Sequence, residues 1–155
     1  MFGPKEAEKI TGIPMRRIQF YIESGLVNVE SPGRGRRGRE FSRDNLLELA
    51  VVSRLSSVGI DLATIKQIFA SIRLQYPEML LAGTYEVESP AGRFLSIADG
   101  QLKSLVGRRE AIHVDDNGIP RTFAGGPAKI LEIDVSQYEA VTIININNIY
   151  KKLLV

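Results

Sequence analysis

Residues 11–27 read TGIPMRRIQFYIESGLV, and the fold turns on whether they form one helix or the end of one and the whole of another. Thr11-Gly12 reads as a helix end, because glycine reaches the left-handed conformation that closes helices without steric cost. Upstream, Gly3-Pro4 opens a short helix with Pro4 at its first position, and Ala7 and Ile10 supply a small apolar face. Pro14 then starts a second helix. Met15, Ile18 and Ile22 fall on one side at steps of three and four, with Tyr21 alongside, and Ser24-Gly25 stops it. Two short helices joined by about three residues with a glycine are a helix-turn-helix arrangement.

Working outward, Leu26–Glu30 alternates enough for a short strand, and Glu40-Phe41 is a candidate return strand. Between them lies SPGRGRRGR, in which Arg34, Arg36, Arg37 and Arg39 are spaced by glycines. Ser42 has the character of an N-cap, with Asp44 in the first turn of a third helix running to about Val58, where Gly59 closes it. Its apolar positions include Leu46, Leu49, Val52 and Leu55. Asp61 caps a fourth helix with Ile65, Ile68, Phe69 and Ile72 on its inner side, and Tyr76-Pro77 ends the series.

Beyond residue 80 the texture changes to glycines, prolines and β-formers. The expected strands are Thr84–Glu88, Phe94–Ala98, Leu102–Val106, Ala111–Val114 and Ile130–Val135, with turns at Asp99-Gly100 and Asp116-Asn117-Gly118. VTIINI, residues 141–146, reads as a strand buried on both faces, with Asn147 or Asn148 capping a final short helix through Lys152. The expected class is α+β: a winged helix-turn-helix over 1–75, then a small β-rich region over 84–155 with a short terminal helix.

Composition narrows the function. The chain has 155 residues, 44% hydrophobic and 25% charged, as a globular protein does. No apolar run approaches the ~18 residues of a membrane span, and MFGPKEAEKI has no apolar core of a secretory signal. A cytoplasmic location is the expectation. Cysteine is absent, which excludes disulfides, thiolate metal sites and cysteine nucleophiles. Residues 1–73 hold 12 Lys/Arg against 8 Asp/Glu, whereas residues 74–155 hold 8 against 10. The positive field thus gathers in the first half and favours polyanions. The lone histidine, His113, stands near Asp115 and Asp116, an ordinary surface arrangement. Gly125-Gly126-Pro127 reads as a connection, and the carboxylates form no acid/base pair. The expectation is no enzyme, no metal and no cofactor.

The arginine loop suits duplex DNA. Each phosphate neutralised releases counterions, and the guanidinium fork matches phosphate oxygens. The second helix, residues 14–24, carries Arg16, Arg17 and Gln19 at its exposed start, where a recognition helix meets base edges. Tyr21 reads either as core or as a residue whose hydroxyl reaches a phosphate.

The strings AEKITGIPMRRIQFYIESGLV and GRGRRGREFSRDNLLELAVVSRLSSVGIDLATIKQIF resemble the DNA-binding domain of MerR-type transcriptional regulators over about residues 2–73. The resemblance rests on an ordered series. It comprises a Thr-Gly-Ile turn, an arginine opening helix two, an aromatic pair before Gly-Leu, an aromatic-Ser after the wing, and Gly59-x-x-Leu62-x-x-Ile65. It implies a bacterial homodimer on an inverted-repeat site in double-stranded DNA, with contact to RNA polymerase through a distorted promoter. It further implies that Arg16 opens the recognition helix, that Tyr21 touches the backbone, and that Arg34, Arg36, Arg37 and Arg39 form the wing, residues 33–40. Gln19 stands where many members carry arginine.

Two departures matter. Cysteine-based sensing is excluded, and Pro77, Gly83 and Pro90 interrupt the region where members extend a long dimerisation helix. Dimer contacts would then come from the β-rich segment or the terminal helix. That segment is expected to bind a small-molecule effector, to form the dimer, or to hold a protein partner. The last case would make the chain an architectural, excisionase-like or antitoxin-like DNA binder.

Overall fold

The turn at Gly12 forms as its residues demand. In the computed structural model, which describes residues 1–29, 38–87, 93–106, 110–114, 120–124 and 140–154, Gly12 sits at φ 68°. Its N–H donates to Glu8 O at 2.9 Å and closes α1, Pro4–Thr11. The Gly3 N–H at the other end donates to Glu6 Oε2 at 2.8 Å. After three residues, with Ile13 buried between the helices, Pro14 caps α2, Met15–Glu23.

Ser42 opens α3, Arg43–Ser57, in a reciprocal cap. Asn45 N–H donates to Ser42 Oγ at 3.1 Å, and Ser42 N–H donates to Asn45 Oδ1 at 3.0 Å. Asp61 accepts from Thr64 N–H at 2.7 Å and starts α4, Leu62–Gln75. These four helices bury Ile18, Leu47, Leu49, Leu55, Ile68 and Phe69 among others.

The chain then makes a 3-10 turn, Pro77–Leu80, and a five-residue helix α5, Gly83–Val87. A strand was expected from Thr84. Instead the Thr84 and Tyr85 N–H groups donate to Leu81 O and Ala82 O, and Tyr85 Oη donates to Met79 O at 2.7 Å. Those local bonds outweigh the β preference of the side chains.

Five antiparallel strands follow: β1 Phe94–Ala98, β2 Gln101–Val106, β3 Glu110–Val114, β4 Pro120–Ala124 and β5 Val141–Asn145. Their order across the sheet is β4-β3-β2-β1-β5. Asp99 at φ 50° and Gly100 at φ 75° make the expected two-residue turn between β1 and β2, the double left-handed type whose twist matches that of the strands. The register shifts by one residue between Ser96 and Ile97, a bulge at Lys103 of β2.

The double-faced burial expected of β5 belongs to β1, where Leu95, Ser96, Ile97 and Ala98 are all buried. Among the described residues β5 lies at an edge of the sheet. Ile144 points inward, while Ile143 remains 48% exposed on the opposite face. β4 was not anticipated: PRTFA is short, led by proline and lacks clear alternation, as an edge strand can. The expected strand at 130–135 and the turn at 116–118 lie outside the described residues.

The last helix, α6, spans Ile146–Leu153. Its cap is Asn145, not Asn147 or Asn148: the Asn145 side chain accepts from Asn148 N–H at 3.2 Å. Asn147 Oδ1 instead accepts from Arg93 N–H at 3.0 Å.

Arg93 joins the two halves. It is 2% exposed. Its Nη1 donates to Glu78 O at 2.8 Å and to Thr84 Oγ1, and its guanidinium lies 4.4 Å from the Tyr85 ring centre. Tyr85 stacks on Tyr150 of α6 at 5.2 Å. The buried side chains of helices and sheet form one continuous apolar cluster.

Candidate nucleic-acid interface

α2 presents two faces because its apolar residues recur at helical spacing. Ile18 and Tyr21 point inward, 0% and 3% exposed, and fix the helix on the core. Arg16, Arg17, Gln19, Phe20 and Glu23 are exposed, and with Pro14 they line one shallow trough of about 710 Å³. The structure therefore brings Arg16, Arg17 and Gln19 onto one surface and sends the Tyr21 ring into the core. Gln19 Nε2 donates to Glu23 Oε1 at 3.0 Å, an i,i+4 bond that holds the amide along the helix.

Phe20 was missed as a surface residue. It is 52% exposed, four residues after Arg16 and three after Arg17. The helical spacing places it on their face.

The segment carrying the arginine loop is tied down at both ends. At its entry, the expected strand is absent from residues 26–29. The Leu26 and Val27 N–H groups both donate to Tyr21 O, so their backbone finishes α2, and both side chains are buried. Leu26 O accepts from Arg73 Nη2 at 3.0 Å, and Asn28 O accepts from Asn45 Nδ2 at 3.0 Å.

At its exit, Phe41 forms an isolated antiparallel bridge with Phe2, two backbone bonds of 2.8 Å each. The expected return strand at Glu40-Phe41 thus pairs with the N-terminal segment. Arg39 is half-buried beside this bridge in sequence, while Arg34, Arg36 and Arg37 lie outside the described residues. Entry and exit are both fastened to the body that carries α2.

Arg73 also contacts Glu48. Its Nη2 stands 3.2 Å from Glu48 Oε1, and its guanidinium lies over the Phe69 ring at 5.4 Å. Burial pushes the Glu48 carboxyl above its ordinary value, against the opposing pull of Arg73. Asp61 is lowered by the hydrogen bonds it accepts at the start of α4.

Among the described residues no group of three or more His, Asp or Glu could hold a metal ion. No described helix is long and apolar enough to cross a membrane. α4 ends at Gln75, with Tyr76 as its cap, so no long helix continues it.

Residues 3–72 match the family model described as MerR HTH family regulatory protein. Two exposed arginines open the second helix, a glycine turn precedes it, and the residues on both sides of the basic stretch are fastened to the same body. Residues 3–72 are therefore a MerR-type helix-turn-helix region, that of a DNA-binding transcription regulator.

Proposed function

We propose that the chain binds duplex DNA as a homodimer on an inverted-repeat site, with α2 in the major groove and the arginine-rich wing, residues 33–40, on the adjacent phosphates. Residues 1–75 act as the reader. Residues 84–155 serve as the effector, dimerisation or partner-binding region, and RNA polymerase is the downstream contact. The observation that carries this reading is the joint exposure of Arg16, Arg17 and Gln19 on a helix whose other face is locked in the core.

The roles divide by chemistry. Arg16 and Gln19 read base edges, since arginine and amide groups make paired bonds to guanine and adenine there. Arg17, Arg34, Arg36, Arg37 and Arg39 neutralise phosphates. Phe20 adds an apolar surface suited to a thymine methyl. Tyr21, 3% exposed, supports α2 from beneath and offers DNA its hydroxyl alone.

Selection of bound fragments from a random library tests the reading. Arg16→Ala should relax the selected site at one position per half-site and weaken binding by about 1–3 kcal/mol. Arg36→Ala with Arg37→Ala should weaken all sequences alike and lower the salt slope by about 0.9 per phosphate lost. Unchanged site preference in the first variant would remove α2 as the reader. An unchanged slope in the second would remove the wing.

A further inference from the structure

Two clefts meet where the helix-turn-helix region abuts the terminal helix. The first, of about 270 Å³, is walled mainly by Phe2, Ile10, Leu46, Leu153 and Leu154, with Arg43 beside them. The second, of about 240 Å³, shares Ile10 and Leu153 and adds Ser53, Arg54 and Lys152 among its lining residues. Each alone lies just below the range of about 300–1,000 Å³ typical of small-molecule sites, and they adjoin at Ile10 and Leu153.

Their chemistry is one-sided. Arg43, Arg54 and Lys152 are exposed cations, and no carboxylate lines either cleft among the described residues. The apolar part is wet at its margin, since Leu154 is 59% exposed. An occupant that satisfies both features has an apolar body and one negative end. A cationic or polar ligand meets repulsion or gains nothing from the leucine walls.

We propose that the two adjoining clefts together form a binding site for an amphipathic organic carboxylate, such as a medium-chain fatty acid. The tail lies between Ile10, Leu46 and Leu153, and the carboxylate is held by Arg54 and Lys152. The planar guanidinium fork suits a carboxylate, and the neighbouring Ser53 supplies a hydroxyl.

The place in the fold gives occupancy a consequence. Phe2, a wall of the cleft, exchanges two backbone hydrogen bonds with Phe41 at the exit of the basic loop. A bound carboxylate therefore presses on the strut that fixes that loop and on α6 at once. This coupling rests on the DNA-binding reading; the binding itself does not.

The experiment is isothermal titration of the full chain with decanoate, and with decyltrimethylammonium as the charge-reversed control. The expected result is saturable one-to-one binding of decanoate and none of the control. Arg54→Gln with Lys152→Gln should weaken decanoate at least tenfold. Leu154→Glu, at an exposed position, should do the same by placing a carboxylate beside the tail. Both variants should keep the wild-type melting temperature without ligand. Equal binding of the two surfactants, or wild-type affinity in both variants, overturns the site. A concentration-dependent dimer abolished by Leu154→Glu, without decanoate binding, assigns the cleft to a second copy of the chain and overturns it too. Gel shifts on the same preparations separate this outcome from the DNA reading: lost decanoate binding with retained DNA binding bears on the cleft alone.

Discussion

The junction between α1 and α2 and the junction between β5 and α6 each join two elements within a few residues, but by different means. The first carries its own punctuation. Gly12 at φ 68° stops one helix, and Pro14 starts the next. The second has no stop. Asn145 is the last residue of a strand, paired with Phe94 of β1, and at the same time the cap of a helix whose Asn148 N–H it accepts. One boundary is written in the chemistry of its own residues. The other exists because a neighbouring strand holds Val141–Asn145 extended up to that point. The contrast runs through the molecule: the helical region is organised by local signals, and the sheet region by partners distant in sequence.

The strongest way to break the contrast is to ask whether the two regions share a core. Leu49 of α3 and Leu95 of β1 are both 0% exposed and belong to one apolar cluster. Leu49→Ala and Leu95→Ala should each cost about 2–5 kcal/mol in urea unfolding followed by circular dichroism. A cost below about 1 kcal/mol for Leu95→Ala alone would show that the sheet packs apart from the helices.

The caps sharpen the contrast at lower energy. Ser42→Ala removes a cap whose helix is also held by many buried leucines, and should cost about 1 kcal/mol. Asn145→Ala removes the side-chain cap at the point where a strand becomes a helix, and should cost more, up to about 2 kcal/mol. Equal losses would mean that α6 is positioned by packing alone.

The smallest effect lies in pH. Burial raises the Glu48 carboxyl above its ordinary 4.5. A raised value means that the folded chain holds the proton more tightly than the unfolded one. Glu48 thus contributes stability below about 4.5 that is lost as the pH rises through the folded value. Glu48→Gln should flatten this part of the curve by under about 1 kcal/mol, since the partner Arg73 side chain is 41% exposed. Asp61 has the opposite sign. Its lowered value gives stability above the ordinary 3.8 that disappears as the pH falls through the folded value. Asp61→Asn, which keeps a good cap, should reduce the loss in acid. Urea midpoints between acid and neutral pH would separate the two.

The legible parts were those with short-range causes. Pro4, Gly12, Gly25, Ser42, Gly59 and Asp61 each ended or began a helix where their chemistry required. The exposed arginines of α2 followed from the spacing of Ile18 and Tyr21. Illegible were Thr84–Glu88, whose β preference yielded to hydrogen bonds within 78–85, and Leu26–Val29, whose amides were taken by the end of α2.

Sequence by itself determined the four helices, their caps and the α+β class, because capping, proline and glycine act within a few residues of where they stand. Tertiary structure alone decided which strand is central and which lies at the edge, where α6 begins, how Phe2 fastens the exit of the basic loop, and which cations surround the cleft beside α6. Those outcomes depend on contacts between residues distant in sequence, such as Arg93 with Asn147, 54 positions apart, and no local preference encodes them.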